Sequence, residues 1–206
     1  MTKSGSWESM NPPFARSFNP HPDIRQVLKV FPLTTVKVVV IPDPKRTIPH
    51  YGLGGYTPNA NLVFLSLDLA LPAFRHMVSD RLPGILVHEF HHGMRWRGPG
   101  MGRTLFESLI SEGLADHFAL ELLGIHHPWT NAFPHDETAK FLPLAHAEFD
   151  STTYHFPRWF FGGDPILPRW TGYTLGFRLV EAYKEQHPGE TAVTLVHMPA
   201  RVFRPQ

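Results

Sequence analysis

The sequence predicts an α+β domain in which a small β-sheet packs on the first long helix and the C-terminal half is mainly helical. Three observations carry this. Two short runs dense in β-branched residues, "LTTVKVVVIP" and "NLVFLSLD", fall in the first third of the chain. From Arg81 onward, apolar residues recur at helical spacing between recognisable caps. Finally, 206 residues with 42% hydrophobic and 13% aromatic content can bury one compact core.

Residues 1–22, rich in Ser, Asn and Pro, read as a flexible N-terminal tail, and residues 23–206 as a single domain. Leu33–Pro42 is the first strand and ends at a proline. "GLGGYTPNAN" reads as a turn, its glycines permitting unusual backbone angles, and Asn61–Asp68 as the second strand. That strand is a candidate edge for pairing with an extended peptide, and equally a candidate interior strand. The first long helix is expected over Arg81–Trp96, with Pro83 in its first turn and "GPG" ending it. In the next, Thr104 and Glu107 form a capping box, Gly124 is the C-terminal cap, and Leu105, Leu109, Ala115 and Leu122 supply a core stripe. His126–Pro168 is broken by prolines and reads as loop, with a helical turn around Thr138–Phe149. A third long helix covers Thr171–Gln186, and "ETAVTLVHM" a short fourth.

Lys plus Arg number 19 and Asp plus Glu 18, so the net charge of +1 gives no electrostatic reason to expect nucleic acid or a membrane as partner. The N-terminus has no apolar signal region and no run long enough to span a bilayer, which predicts a cytoplasmic protein. The absence of cysteine excludes disulfides, thiolate metal sites and a cysteine nucleophile, whereas histidine is abundant at 14 residues. Any metal must therefore sit on His, Asp or Glu.

"ILVHEFHHGMRW" concentrates the chemistry. At about 100° per residue, His88 and His92 lie one turn apart, with Glu89 on the same side as His92. His91 lies the other way, so a metal between His88 and His91 would leave Glu89 remote. Two imidazoles one turn apart suit Zn²⁺, and an adjacent carboxylate that does not bind the metal can take a proton from water. A catalytic zinc needs a third protein ligand. The H-E-x-x-H-x-x-G-x-x-H pattern fails, since Arg95 stands where its glycine belongs and Gly98 where its third histidine belongs. "SEGLAD" instead presents Glu112 and Asp116 one turn apart on the following helix. Glu112 is the expected third ligand, with Gly113 allowing the two metal-holding helices to approach. Asp116 is the expected acceptor for the second ring N–H of His88 or His92. Tyr173, with Gly172 permitting approach to the cleft, is a candidate oxyanion donor, as are His155 and Arg158 in the loop before it. His126, His127, His135 and His146 lack ligand spacing and read as surface histidines.

His88-Glu89-Phe90-His91-His92, followed after nineteen residues by Glu112 in an E-x-x-x-D stretch, resembles the gluzincin arrangement of thermolysin-like metallopeptidases. "VHEFHH", "LFESLISEGLADHFA" and "WFFGGDPILPRWTGYTLGF" more closely resemble a family of predicted zinc-dependent proteases, a domain of unknown function, over Gly54 to Tyr183. The resemblance implies a zincin-like fold and one Zn²⁺ per chain on His88, His92 and Glu112. It further implies Glu89 as catalytic base and Asp116 behind the ligands, and favours Tyr173 as the oxyanion donor, but it implies no substrate. A peptide or protein substrate is the expectation drawn from the hydrolytic apparatus itself. Two other readings use the same residues: a zinc hydrolase of non-peptide amides or esters, and a non-enzymatic module stabilised by zinc. A base beside an open coordination position counts against the second.

Overall fold

The computed structural model of the protein describes residues 27, 29–31, 36–72 and 74–205. The expected N-terminal tail and the start of the first predicted strand lie outside the described residues. The architecture is α+β. A three-stranded sheet is formed by β1 (Lys37–Pro42), β2 (Leu53–Asn59) and β3 (Leu62–Leu67), in the order β1-β3-β2. The described helices are α1 (Phe74–Arg95), α2 (Leu105–Leu123), α3 (Thr138–Glu148), α4 (Phe156–Phe160) and α5 (Thr171–Gln186), joined by short 3₁₀ turns. No described helix is long and apolar enough to cross a membrane.

Several expectations are corrected. The predicted turn "GLGGYTPNAN" contains strand β2, antiparallel to β3, while β1 pairs with β3 in parallel. Glycine and proline weigh against a strand locally, but ladder pairing with β3 overrides that. β3 is consequently the central strand and not an edge; β2 is the edge next to α1. Helix α1 begins at Phe74, which puts Pro83 in its interior. There the proline removes one ladder hydrogen bond that a first-turn position would not have lost. The predicted fourth helix is a series of turns leading to a 3₁₀ turn at Ala200–Phe203.

α2 is the axis of the molecule. Its capping box is formed as expected, Glu107 N–H donating to the Thr104 hydroxyl at 3.2 Å and Thr104 N–H to Glu107 Oε2 at 3.0 Å, and Gly124 closes it at φ 68°. Nearly every residue from Leu105 to Ala119 is buried, as befits a helix covered on all sides. One core cluster gathers Leu109, Leu114, Phe141, Trp159 and Leu175 between α2 to α5. The other gathers Leu53, Val63, Val87, Phe118 and Ala119 between the sheet, α1 and α2. Gly113 serves a different crossing from the one expected: a Cβ there would lie 2.2 Å from the Gly176 carbonyl oxygen, so the close approach is of α2 to α5.

Candidate metal centre

Helical periodicity places His88, Glu89 and His92 on the face of α1 that meets α2 and β2, and all three are buried. Glu112 comes from the middle of α2. His88 Nε2 lies 3.1 Å and His92 Nε2 3.3 Å from Glu112 Oε2. Those separations match the edge of roughly 3.3 Å expected between ligand atoms of a tetrahedral site with bonds of about 2.0–2.1 Å. His88, His92 and Glu112 therefore form one of two groups of three residues able to hold a metal among the described residues; the other is His88, Asp116 and His127.

Hydrogen bonding separates these two groups. Asp116 is fully buried and its Oδ1 accepts from His88 Nδ1–H at 2.9 Å, His127 Nδ1–H at 2.9 Å and Trp129 Nε1–H at 3.0 Å. It is an acceptor saturated by N–H groups. With Nδ1–H committed to Asp116, His88 turns its Nε2 toward Glu112 and His92, where facing lone pairs require a cation between them. The donor set at His88, His92 and Glu112 thus fits zinc.

The charges agree. Burial opposes ionisation of Glu112, but the two facing imidazoles outweigh it and hold its carboxyl at about 2. Burial likewise opposes ionisation of Asp116, yet His88 and His127 hold it well below the usual carboxylate range. Burial alone would depress His88; Asp116 and Glu112 overcome that and raise it well above the ordinary imidazole value. A cation, proton or metal, is stabilised where Nε2 points.

Glu89 projects from the same face without entering the ligand cluster. Its Oε2 accepts from the Thr57 hydroxyl at 2.6 Å, and Trp96 Nε1–H donates to the Thr57 carbonyl at 2.8 Å, so β2 is tied to α1 at both points. His91 points away: its Nε2–H donates to the Ala192 carbonyl at 3.2 Å and its ring packs against Phe118.

Tyr173 lies in the first turn of α5, and no hydrogen bond holds its hydroxyl among the described residues. Burial pushes its phenol well above the ordinary value, reinforced by the carboxylates of Glu112, Asp116 and Glu89. It remains a protonated donor at neutral pH. Gly172, expected to open the way to the cleft, instead accommodates the Phe160 ring, 2.7 Å from where a Cβ would be. Tyr154, which sequence reasoning missed, also lines the cleft; its hydroxyl is 2.6 Å from Ser108 Oγ, and burial and Glu112 raise its phenol. His155 is exposed, and Arg158 is engaged by Glu148 at 2.7 Å and Asp164 at 2.6 Å, so neither lines the cleft.

His126, His135 and His146 are exposed, as expected, but His127 is buried and is corrected from a surface residue to a partner of Asp116. Its ring stacks on Trp129 at 4.4 Å, in a space left by Gly84, where a Cβ would lie 2.8 Å from His127 Nε2. The sequence offered no spacing signal for it, because the contact with Asp116 spans a helix end and a turn.

The centre opens into a cleft with two lobes, of about 430 and 490 Å³, which share Gly55, His88, Glu89, Phe161 and Tyr173.

No solved structure matches the chain. "Uncharacterized protein YjfC" of Bacillus subtilis (strain 168) is 29% identical over 122 residues, which cover 52% of this chain and 41% of that protein. The chain thus matches less than half of that relative's length. The model of the family described as "Predicted Zn-dependent protease (DUF2268)" matches residues 21–204, and the chain belongs to this family.

Proposed function

We propose that the protein is a metallopeptidase of the gluzincin kind with a zincin-like catalytic core, holding one zinc through His88 Nε2, His92 Nε2 and Glu112. The observation that carries the reading is the convergence of these three atoms beside Glu89, with the Nδ1–H of His88 committed to Asp116. Zinc held there supplies Lewis acidity, polarising a carbonyl and making water acidic near neutral pH. Glu89 takes a proton from the attacking water and returns it to the leaving amine. Thr57 orients that carboxylate by donating to Oε2. The Tyr173 hydroxyl donates to the oxyanion of the tetrahedral intermediate, with Tyr154 lining the adjoining lobe. Asp116 fixes the tautomer and orientation of His88. A cleft that extends to both sides of the centre suits a chain-like substrate better than a small ester or amide.

Metal analysis joined to cleavage of a broad peptide library tests this. Wild type is expected to carry about one zinc per chain and to cleave peptides in preference to simple esters. Glu89→Gln is expected to keep its zinc and lose turnover by roughly 10²- to 10⁴-fold or more. Equal cleavage by both zinc-loaded forms would refute the role of Glu89.

A further inference from the structure

The two lobes of the cleft differ sharply in charge. The lobe running toward Tyr154 is lined by Glu89 and Glu112 and by no lysine or arginine. The other is lined by Lys45, Arg46 and Arg169, with Glu89 as its one acid. Arg46 is in part neutralised by Asp43 at 3.4 Å. Arg169 and Lys45 have no acidic partner among the described residues. Arg169 Nε is buried without any hydrogen-bond acceptor among them, while its guanidinium lies 4.7 Å from the Trp170 ring centroid. A buried donor without an acceptor is costly, so a position of this kind asks for one.

The surrounding backbone holds these cations in place. Lys45 and Arg46 lie in a 3₁₀ turn capped by Asp43, whose side chain accepts from Lys45 N–H at 3.0 Å. That turn is pressed onto β2, because a Cβ at Gly54 would lie 2.2 Å from the Arg46 carbonyl oxygen. Gly54 thus seats the cationic turn, and the next residue borders Glu89. On the opposite wall, Trp170 adopts φ 70°, a left-handed conformation costly for an aromatic residue. Gly162, itself at φ 92°, makes room for the Arg169 stem.

We infer that this lobe is a carboxylate subsite: Arg169 and Lys45 bind an anionic group of the substrate, an acidic side chain or a free C-terminus, on one side of the bond to be cleaved. The inference rests on reading the centre as a peptidase site. Arg169, which lines the lobe with its guanidinium beside the Trp170 ring, supplies an oriented cation and Lys45 a more mobile charge at the rim. The other lobe offers no lysine or arginine, and a zinc there would be offset by Glu89 and Glu112, so the chain's own cations on one side fix the direction in which a substrate lies.

The test measures binding, using zinc-loaded protein carrying Glu89→Gln and fluorescent, N-acetylated decapeptides in matched pairs. One set of pairs differs by a single Glu for Gln at successive positions, the other by a free or an amidated C-terminus. One placement of the carboxylate is expected to bind ~10-fold more tightly than its neutral twin. The set in which it appears identifies the source of the carboxylate. The preference should fall with salt and nearly vanish in Arg169→Gln and in Lys45→Gln. Lys45 is exposed, so its replacement leaves the fold intact. Lys140→Gln, which removes an exposed charge elsewhere, should keep the preference. Equal binding of charged and neutral twins, or a preference that survives both substitutions together, overturns the subsite. If the enzyme without Glu89→Gln cleaves the charged and neutral twins equally well, the subsite fails and the peptidase stands. If binding is selective but those peptides are never cleaved, the peptidase reading fails and the carboxylate site stands.

Discussion

Gly55 of β2 makes room for Glu89 of α1: a Cβ at Gly55 would lie 2.3 Å from Glu89 Oε1 and 2.6 Å from its Cδ. Gly55 has no left-handed backbone angle and is exposed, so neither conformation nor core packing demands a glycine. The carboxylate does. Gly55→Ala should therefore leave zinc content unchanged at a modest cost in thermal stability, since the new Cβ must push aside the buried Glu89 side chain that Thr57 holds. Turnover should fall by about 10²-fold, the loss that follows a displacement of roughly 1 Å in a reacting group. A variant as active as wild type would show that Glu89 is not held where the reaction needs it.

His91 and His92 are neighbours with opposite duties. His92→Ala is expected to abolish stoichiometric zinc binding, whereas His91→Gln should retain it, because His91 is bonded to the Ala192 carbonyl. Metal analysis after dialysis against a weak chelator distinguishes them. Zinc that survives His92→Ala and disappears with His91→Gln would reverse the assignment.

Asp116 gathers three buried donors, so its replacement has two effects. Asp116→Ala leaves N–H groups of His88, His127 and Trp129 without their acceptor, at about 1–3 kcal/mol each. It also releases the orientation of His88, which should weaken zinc binding by about 10- to 100-fold. His127→Phe keeps the ring stacked on Trp129 while removing one donor, and should change zinc affinity less. Urea melts and competitive zinc titration separate the two quantities.

His117 makes stability depend on pH independently of the metal. Burial pushes its imidazole down to about 4, against a hydrogen bond to the Phe177 carbonyl that acts the other way. The unfolded side chain titrates at about 6.5, so between 6.5 and 4 the unfolded chain alone takes up the proton. Its contribution is complete above 6.5 and falls as pH drops through that window, by about 2 kcal/mol at pH 5. In His117→Gln this component is missing. The stability gap between wild type and variant should therefore shrink by about that amount between pH 7 and pH 5 in denaturant melts. A gap independent of pH would show that His117 titrates in the folded protein as it does in the unfolded chain.

What was legible in the sequence was local. The capping box of Thr104 and Glu107, the Gly124 cap and the face shared by His88, Glu89 and His92 each depend on contacts within one or two helical turns, so spacing determines them. Glu112 and Asp116 were legible as a pair on one helix face for the same reason. The tertiary structure decided the rest. β2 is a strand because β3 offers it a ladder, although Gly54, Gly55 and Pro58 read locally as a turn. Gly113 meets Gly176 and not the metal helix, His127 turns inward to Asp116, and Tyr154 reaches the cleft from a segment read as loop. None of these has a sequence signature, since each joins residues brought together only by burying apolar surface between separate elements. The sequence by itself determined which side chains could share a helix face; packing of α1, α2 and β2 decided which acceptor each buried donor found.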